Sequence, residues 1–393
     1  MTSYKPLFSR AIASNPDRIH FAAHSHHLWP DVTLDAQIQA WTDGVQLADR
    51  KWDKVFGEVY PAAQKNVADE LGLPDPQTVA FSPNTHELLV RLFSAHPKQG
   101  PLRVLATDGE FHSFRRQGAR WAEAGDIELT RVPCEPFDNF DERFVAAARG
   151  GAGDGPWDVI FLSHVFFKSG RVFHRIDDLA ALASPDGCWV VVDGYHSFRA
   201  MPVDLSGVAD RIFFMGGGYK YAMAGEGCGF LHAPPGYAAR PEVTGWFAEF
   251  GDLQAPTPGG VGYTADGNRF LGGTFDSTGI YRLNAVFEMH RAEGLSTADV
   301  SARIDALSRR MLEAIADGRA GRLGEAEILN PMSNGPRARF IAFRHPDAQA
   351  WKKTLMDNNV ITDVRDDVLR AGIGLYHDDE DVDAFCEACA ELL

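Results

Sequence analysis

Seven short apolar runs, rich in Val, Ile, Leu and Phe, punctuate the first 235 residues: TVAFS (78–82), RVLAT (103–107), IELTRV (127–132), DVIFLS (158–163), WVVVD (189–193), RIFFM (211–215) and CGFLH (228–232). Most are apolar on both faces rather than alternating, which predicts strands covered on both sides. Between several of them lie stretches with helical spacing, such as SFRRQGARWAEAG, DERFVAAARG and IDDLAALAS. Strands that alternate with helices predict an α/β domain with a mainly parallel sheet. The pattern changes near residue 285. From there the spacing predicts a long helix, a turn and a second amphipathic helix to about residue 318. A strand RFIAFR (339–344), a helix around AQAWKKTLMDN, strands VITDVR and RAGIGL, and a final helix DDEDVDAFCEACAELL complete a smaller α+β unit. The expected division is 1–50 as an N-terminal segment on the small domain or the active site, 51–285 as a large cofactor-binding domain, and 286–393 as a small C-terminal domain.

Composition narrows the function classes. A chain of 393 residues, 45% hydrophobic and 23% charged, has ample material for a large core and is neither disordered nor fibrous. Its net charge of -16 and the absence of a Lys/Arg run speak against nucleic acid. No apolar run reaches the roughly 18 residues of a membrane span, and the N-terminal stretch lacks a basic segment followed by a long apolar one. Five cysteines, an odd number, argue against a disulfide framework. A cytoplasmic enzyme with a small-molecule substrate is the expectation.

In parallel sheets ligands collect at the carboxyl ends of strands, and those ends carry the unusual residues. WVVVD ends on Asp193, followed by His196. RIFFM runs into three glycines, Tyr219 and Lys220. A lysine in an apolar pocket beside another cation has a lowered pKa and is a usable amine for Schiff-base chemistry. An aspartate one strand away can pair with a protonated pyridine nitrogen. Asn84 and Thr85 stand where a strand turns into an amphipathic helix, a natural phosphate site. Phe111 follows the next strand, placed to stack on a flat ring. The cluster His24, His26, His27 lacks a distant third ligand, so no metal is expected; one of the three, with His26 as the candidate, lines the substrate pocket. Cys386 and Cys389 sit on an amphipathic helix and read as core.

These residues resemble those of the class V aminotransferase group of fold-type I pyridoxal-phosphate enzymes, and most of all kynureninase, over roughly residues 60–290. The resemblance implies pyridoxal 5'-phosphate as cofactor, with Lys220 as its Schiff-base lysine, Asp193 as partner of the ring nitrogen, and His196 and Tyr219 beside them. SHVFFKSGRVF, which begins at Ser163, resembles the segment that lines the ring. GWFAEF resembles a Gly-Trp motif and implies Trp246 as a phosphate contact. RFLGGTFDSTG implies Thr274 as a residue reaching the neighbouring subunit's phosphate, hence a homodimer with the active site at the interface. LRAGIGLYH implies Arg370 as the clamp on the carboxylate of an amino-acid substrate. Two segments depart from the family: Phe114 stands where an acid is usual, and FAAHSHHLWPDV differs from the expected aryl-binding segment. The implied activity is a kynureninase-like hydrolase or lyase cleaving the substrate side chain. The alternatives are a class V aminotransferase making a keto acid and, in a different class, a non-catalytic binding or regulatory module. A desulfurase needs a mobile Cys, and Cys228 in GEGCGFLH lies in an expected strand.

Overall fold

The computed structural model describes residues 2–153, 155–252, 260–332, 335 and 337–393, with side chains left undescribed at 250–252. A two-residue strand, β1 (Ile19–His20), precedes the main sheet, whose seven strands are β2 (Val79–Ser82), β3 (Leu102–Thr107), β4 (Ile127–Val132), β5 (Val159–Ser163), β6 (Trp189–Asp193), β7 (Ile212–Gly217) and β8 (Gly229–His232). All seven apolar runs form strands. The sheet order is β2-β8-β7-β6-β5-β3-β4, with β8 antiparallel to both its neighbours and every other pairing parallel. β5 and β7 are buried along their whole length and β6 up to Asp193, which explains why their sequences show no alternation.

β7 runs two residues further than its apolar stretch, into Gly217. Glycine is required there because a Cβ would lie 2.6 Å from the Tyr195 hydroxyl and 2.8 Å from the Cys228 carbonyl oxygen. Gly216 and Gly217 thus continue the sheet, and Gly218 leads the chain on to Tyr219 and Lys220.

A second, four-stranded antiparallel sheet has the order β12-β13-β10-β9, from β9 (Glu327–Ile328), β10 (Phe340–Arg344), β12 (Asp363–Arg365) and β13 (Val368–Gly372). β11 (Val360–Ile361) pairs in parallel with β1. The stretch expected as one strand, VITDVR, is therefore split between two sheets. The RAGIGL strand lies earlier than expected, which puts Arg370 in mid-strand. Phe8, Phe21, Ala23 and Leu28 pack in the same core cluster as Ile341, Leu369 and Phe385, so the N-terminal segment packs against this sheet. The helix Thr278–Ala292 runs through residue 285, contributing Ile280 and Leu283 to the core of the large sheet and Val286 and Met289 to that of the small one. Its successor, Thr297–Ala316, opens with a Ser296–Asp299 capping box. Among the described residues no helix is long and apolar enough to cross a membrane.

Candidate active site

The carboxyl ends of β2, β3, β5, β6 and β7 open on one cavity of about 450 Å³, closed from the other side by β12 and β13. Asn84, Thr85, Phe111, Ser163, Asp193, His196, Tyr219, Lys220 and Arg370 all line it. The structure thus brings nine sequence-predicted residues together.

Each is delivered by local chemistry. Asn84 has extended backbone, and its side chain accepts from the Glu87 N–H at 3.0 Å, capping the helix Thr85–Ser94. The turn packs directly on β8, where a Cβ at Gly229 would lie 2.6 Å from the Asn84 carbonyl carbon. Ser163, Asp193 and Met215 are register partners on adjacent parallel strands, so their side chains share a face. The Asp193 carboxylate accepts from the Tyr195 N–H at 3.0 Å. No cation lies within ion-pair distance of it among the described residues, and burial raises its pKa, opposed by the Tyr195 hydrogen bond and the Lys220 charge.

Lys220 points its amine between the rings of Phe111 and Tyr195, 5.4 and 5.5 Å from their centroids, and Nζ meets His196 Nε2. Removal from solvent lowers the amine pKa to about 7, with the Arg370 guanidinium adding to the fall and Asp193 opposing it. The His196 imidazole is held well below its usual pKa by burial and by Lys220, so it meets the amine as a neutral ring. Its Nδ1 is buried without a partner.

Three residues around the site, Asp363, Arg365 and Glu110, were not singled out from the sequence. Arg370 is 2% exposed; it donates to the Phe167 carbonyl oxygen and pairs with Asp363, its register partner on β12. Asp363 also holds Arg365 at 2.6 Å, so one carboxylate bridges two guanidinium groups. Together with His24 they keep the carboxyl below its usual range in spite of burial. Glu110, 1% exposed, sits beneath the cavity wall, its two oxygens each in a 2.6 Å hydrogen bond with a hydroxyl, Oε1 with Thr107 and Oε2 with Ser163. A charged residue directly before Phe111 was the only available signal for it.

Of the three clustered histidines, His24 faces the cavity, as does the neighbouring Ser25, whereas His26 contacts the Tyr219 hydroxyl at 3.1 Å. The reason is a turn: the N–H groups of Ser25 and His26 both donate to the Ala22 carbonyl, so strand-like alternation does not apply. Trp246 and Thr274 lie outside the cavity of this chain; both are exposed, and the Trp246 ring stacks on Phe247. Cys386 and Cys389 are core residues, and Cys228 is buried. Phe114 stacks on Phe161, centroids 3.7 Å apart, and fills an apolar wall.

Pyridoxal phosphate fits these residues. The cavity holds an amine of lowered pKa, a carboxylate without a cation, and a capped helix N-terminus, with an aromatic ring among them.

Residues 300–389 match the Kynureninase C-terminal domain family. The chain is 29% identical to kynureninase of Deinococcus radiodurans over 363 residues, covering 83% of this chain and 80% of that protein. It is 27% identical to isopenicillin N epimerase of Streptomyces clavuligerus, covering 84% and 83% of the two. A solved cysteine desulfurase from Thermococcus onnurineus NA1 superposes with a TM-score of 0.80 at 20% identity, over 100% of this chain and 98% of that one. A fold shared end to end with a desulfurase, and sequence similarity over four fifths to a kynureninase and an epimerase, fit the class V aminotransferase superfamily of pyridoxal-phosphate-dependent enzymes.

Proposed function

We propose that the protein acts on an amino acid as a kynureninase-like hydrolase or lyase that cleaves the substrate side chain, with Lys220 as its central base. The observation that carries this reading is the opening of the Lys220 amine, the Asp193 carboxylate and the Asn84–Thr85 helix end on a single cavity. When bound, pyridoxal phosphate supplies an aldehyde for an amine and a ring that accepts electron density. The N–H groups at the start of the helix Thr85–Ser94 bind the phosphate. Phe111 orients the ring, and Asp193 holds a proton at its nitrogen. Lys220, half neutral near pH 7, takes a proton from the substrate Cα. His196 orients the amine through Nε2. Arg370, fixed by Asp363 and the Phe167 carbonyl, receives the substrate carboxylate.

The kynureninase-like course is supported by the aromatic wall next to that clamp. Phe167 meets Phe111 edge-on, with centroids 5.4 Å apart, and His112 lies 5.2 Å from it, a surface suited to an aromatic side chain. The second reading, a transaminase, is favoured by Phe114, which stands where the resembled family carries an acid. Both run on the same residues. An amino-acid panel including kynurenine separates them: release of alanine without keto acid supports cleavage, and keto acid formation refutes it. If pyridoxal phosphate gives no visible Schiff-base band, or Lys220→Ala retains it, the reading of the site is wrong.

The working unit is a homodimer. Along the helix Val32–Leu47, Leu34, Ile38, Trp41 and Val45 are exposed at 41%, 54%, 69% and 61%, at spacings that form one stripe. The helix is anchored on its other side, where the Tyr281 hydroxyl donates to Asp43 at 2.8 Å. A second copy covering this stripe accounts for its apolar character.

A further inference from the structure

Two carboxylates lie near Ser163, and only one of them lines the cavity. Asp193 opens to the cavity; Glu110 lies behind it, sealed from solvent. Among the described residues Glu110 has no Lys, Arg or His within ion-pair distance; its side-chain partners are neutral hydroxyls, and the Ser163 backbone adds a neutral donor. A charge so placed is unfavourable, and the nearby negative charge of Asp193 makes it more so. The resembled family's acid at position 114 is replaced by Phe114, so Glu110 is the acid that this chain sets beside its ring site.

We propose that Glu110 is a positioning residue held as the neutral acid, which leaves Asp193 the sole carboxylate charge at the ring end of the cavity and presents the Ser163 hydroxyl as a donor to the bound cofactor. This deepens the reading of Asp193 and Lys220 given above and rests on it.

The hydrogen-bond order follows from the geometry. The Gly109 N–H donates to Thr107 Oγ1 at 3.1 Å, so the Thr107 hydroxyl hydrogen goes to Glu110 Oε1. The acid proton then belongs on Oε2, 2.6 Å from Ser163 Oγ. With Glu110 donating, Ser163 accepts, and its own hydrogen turns to the cavity that it lines. With Glu110 ionised, that hydrogen is spent on the carboxylate instead. Burial pushes Glu110 up to about 8; the Ser163 and Thr107 hydrogen bonds oppose the rise, and Asp193 adds to it.

The other titratable groups near Glu110 do not reverse this. The Cys134 thiol is pushed up by burial, which keeps it neutral. On the far side, a cavity of about 340 Å³ brings His112, Arg115, Lys168, Arg344 and Arg365 towards Glu110. Lys168 pairs there with Asp366, Arg344 with Glu135 and Arg365 with Asp363.

The test compares wild type, Glu110→Gln, Glu110→Ala and Ser163→Ala. Infrared spectra of the cofactor-free protein at pH 7 are expected to show a protonated carboxyl stretch that Glu110→Gln removes. Glutamine mimics the neutral acid, so that variant should bind pyridoxal phosphate within about twofold of wild type. The two alanine variants lose a buried hydrogen bond, worth about 1.4 kcal/mol or tenfold in affinity. Ser163→Ala keeps the comparison decisive if Glu110→Ala does not fold. The proposal is overturned if the carboxyl stretch is missing in wild type, if Glu110→Gln binds as weakly as Glu110→Ala, or if Ser163→Ala binds like wild type. A wild-type protein that shows the stretch yet takes up no pyridoxal phosphate overturns the reading of the whole site, and the Ser163 role with it.

Discussion

The Lys220 amine offers the sharpest quantitative test of the site. An ordinary lysine at 10.5 is neutral in about one molecule in three thousand at pH 7; at about 7, half of the molecules carry a free amine. Desolvation is the largest cause of the fall, and the Arg370 guanidinium is the next. As a general scale, a unit charge lining the same cavity at an effective dielectric of about 20 shifts an amine by on the order of one pH unit. Arg370→Met removes that charge. It also leaves Asp363 less compensated, and Asp363 pulls the lysine pKa upward as well. Both effects have the same sign. The assay is the rate at which cofactor-free protein captures pyridoxal phosphate, followed by its visible band between pH 5 and 10. Only the neutral amine adds to an aldehyde, so the rate rises with pH through the amine's midpoint. Wild type is expected to turn near pH 7 and Arg370→Met about one unit higher. A wild-type midpoint above pH 9 would refute the idea that the pocket prepares its lysine. An unchanged midpoint in Arg370→Met would refute the assignment of the second cause.

Two further outcomes follow from other parts of the chain. Trp41→Glu places a charge in the middle of the exposed apolar stripe and is expected to yield monomers in analytical ultracentrifugation; a variant that stays dimeric moves the interface elsewhere. Glu110 has a folded-state pKa raised above its unfolded one, so its contribution is present below about pH 4.5 and is lost as pH rises to about 8. Between those limits the unfolded chain has released this proton and the native state has not, so stability falls by up to about 1.4 kcal/mol per pH unit. Denaturant titrations at pH 5.5 and 7.5 should show wild type losing stability relative to Glu110→Gln, and parallel curves would contradict the assignment.

Which features could be read along the chain, and which could not, has a physical basis. Most of the seven strands were legible because a strand buried on both faces must be a continuous apolar run; the edge strand β4, IELTRV, is exposed at most of its inner positions and shows instead as a short run of β-branched and apolar residues broken by polar ones. Lys220 and Asp193 were legible for the converse reason: each interrupts such a run at its carboxyl end, so the interruption itself is the signal. Residues that act through a partner leave no such mark. Asp363 and Arg370 face each other only because β12 and β13 pair in one register, and nothing in VITDVR or LRAGIG specifies that register. Glu110 is defined by Ser163, 53 residues further on. His24 rather than His26 reaches the cavity because a turn at Ala22 breaks the alternation that a strand would impose. The change of pattern near 285 falls inside one continuous helix, which contributes apolar residues to both the large core and the small one. The same logic bears on the substrate. Groups proposed to meet the cofactor emerge from single strands and can be read locally, whereas the proposed carboxylate clamp, Arg370, is bridged by Asp363 across two strands and held by a third segment at Phe167. Specificity in this fold is therefore encoded in pairings, and changes at Asp363 or Arg365 should alter substrate affinity more than the cofactor's spectrum.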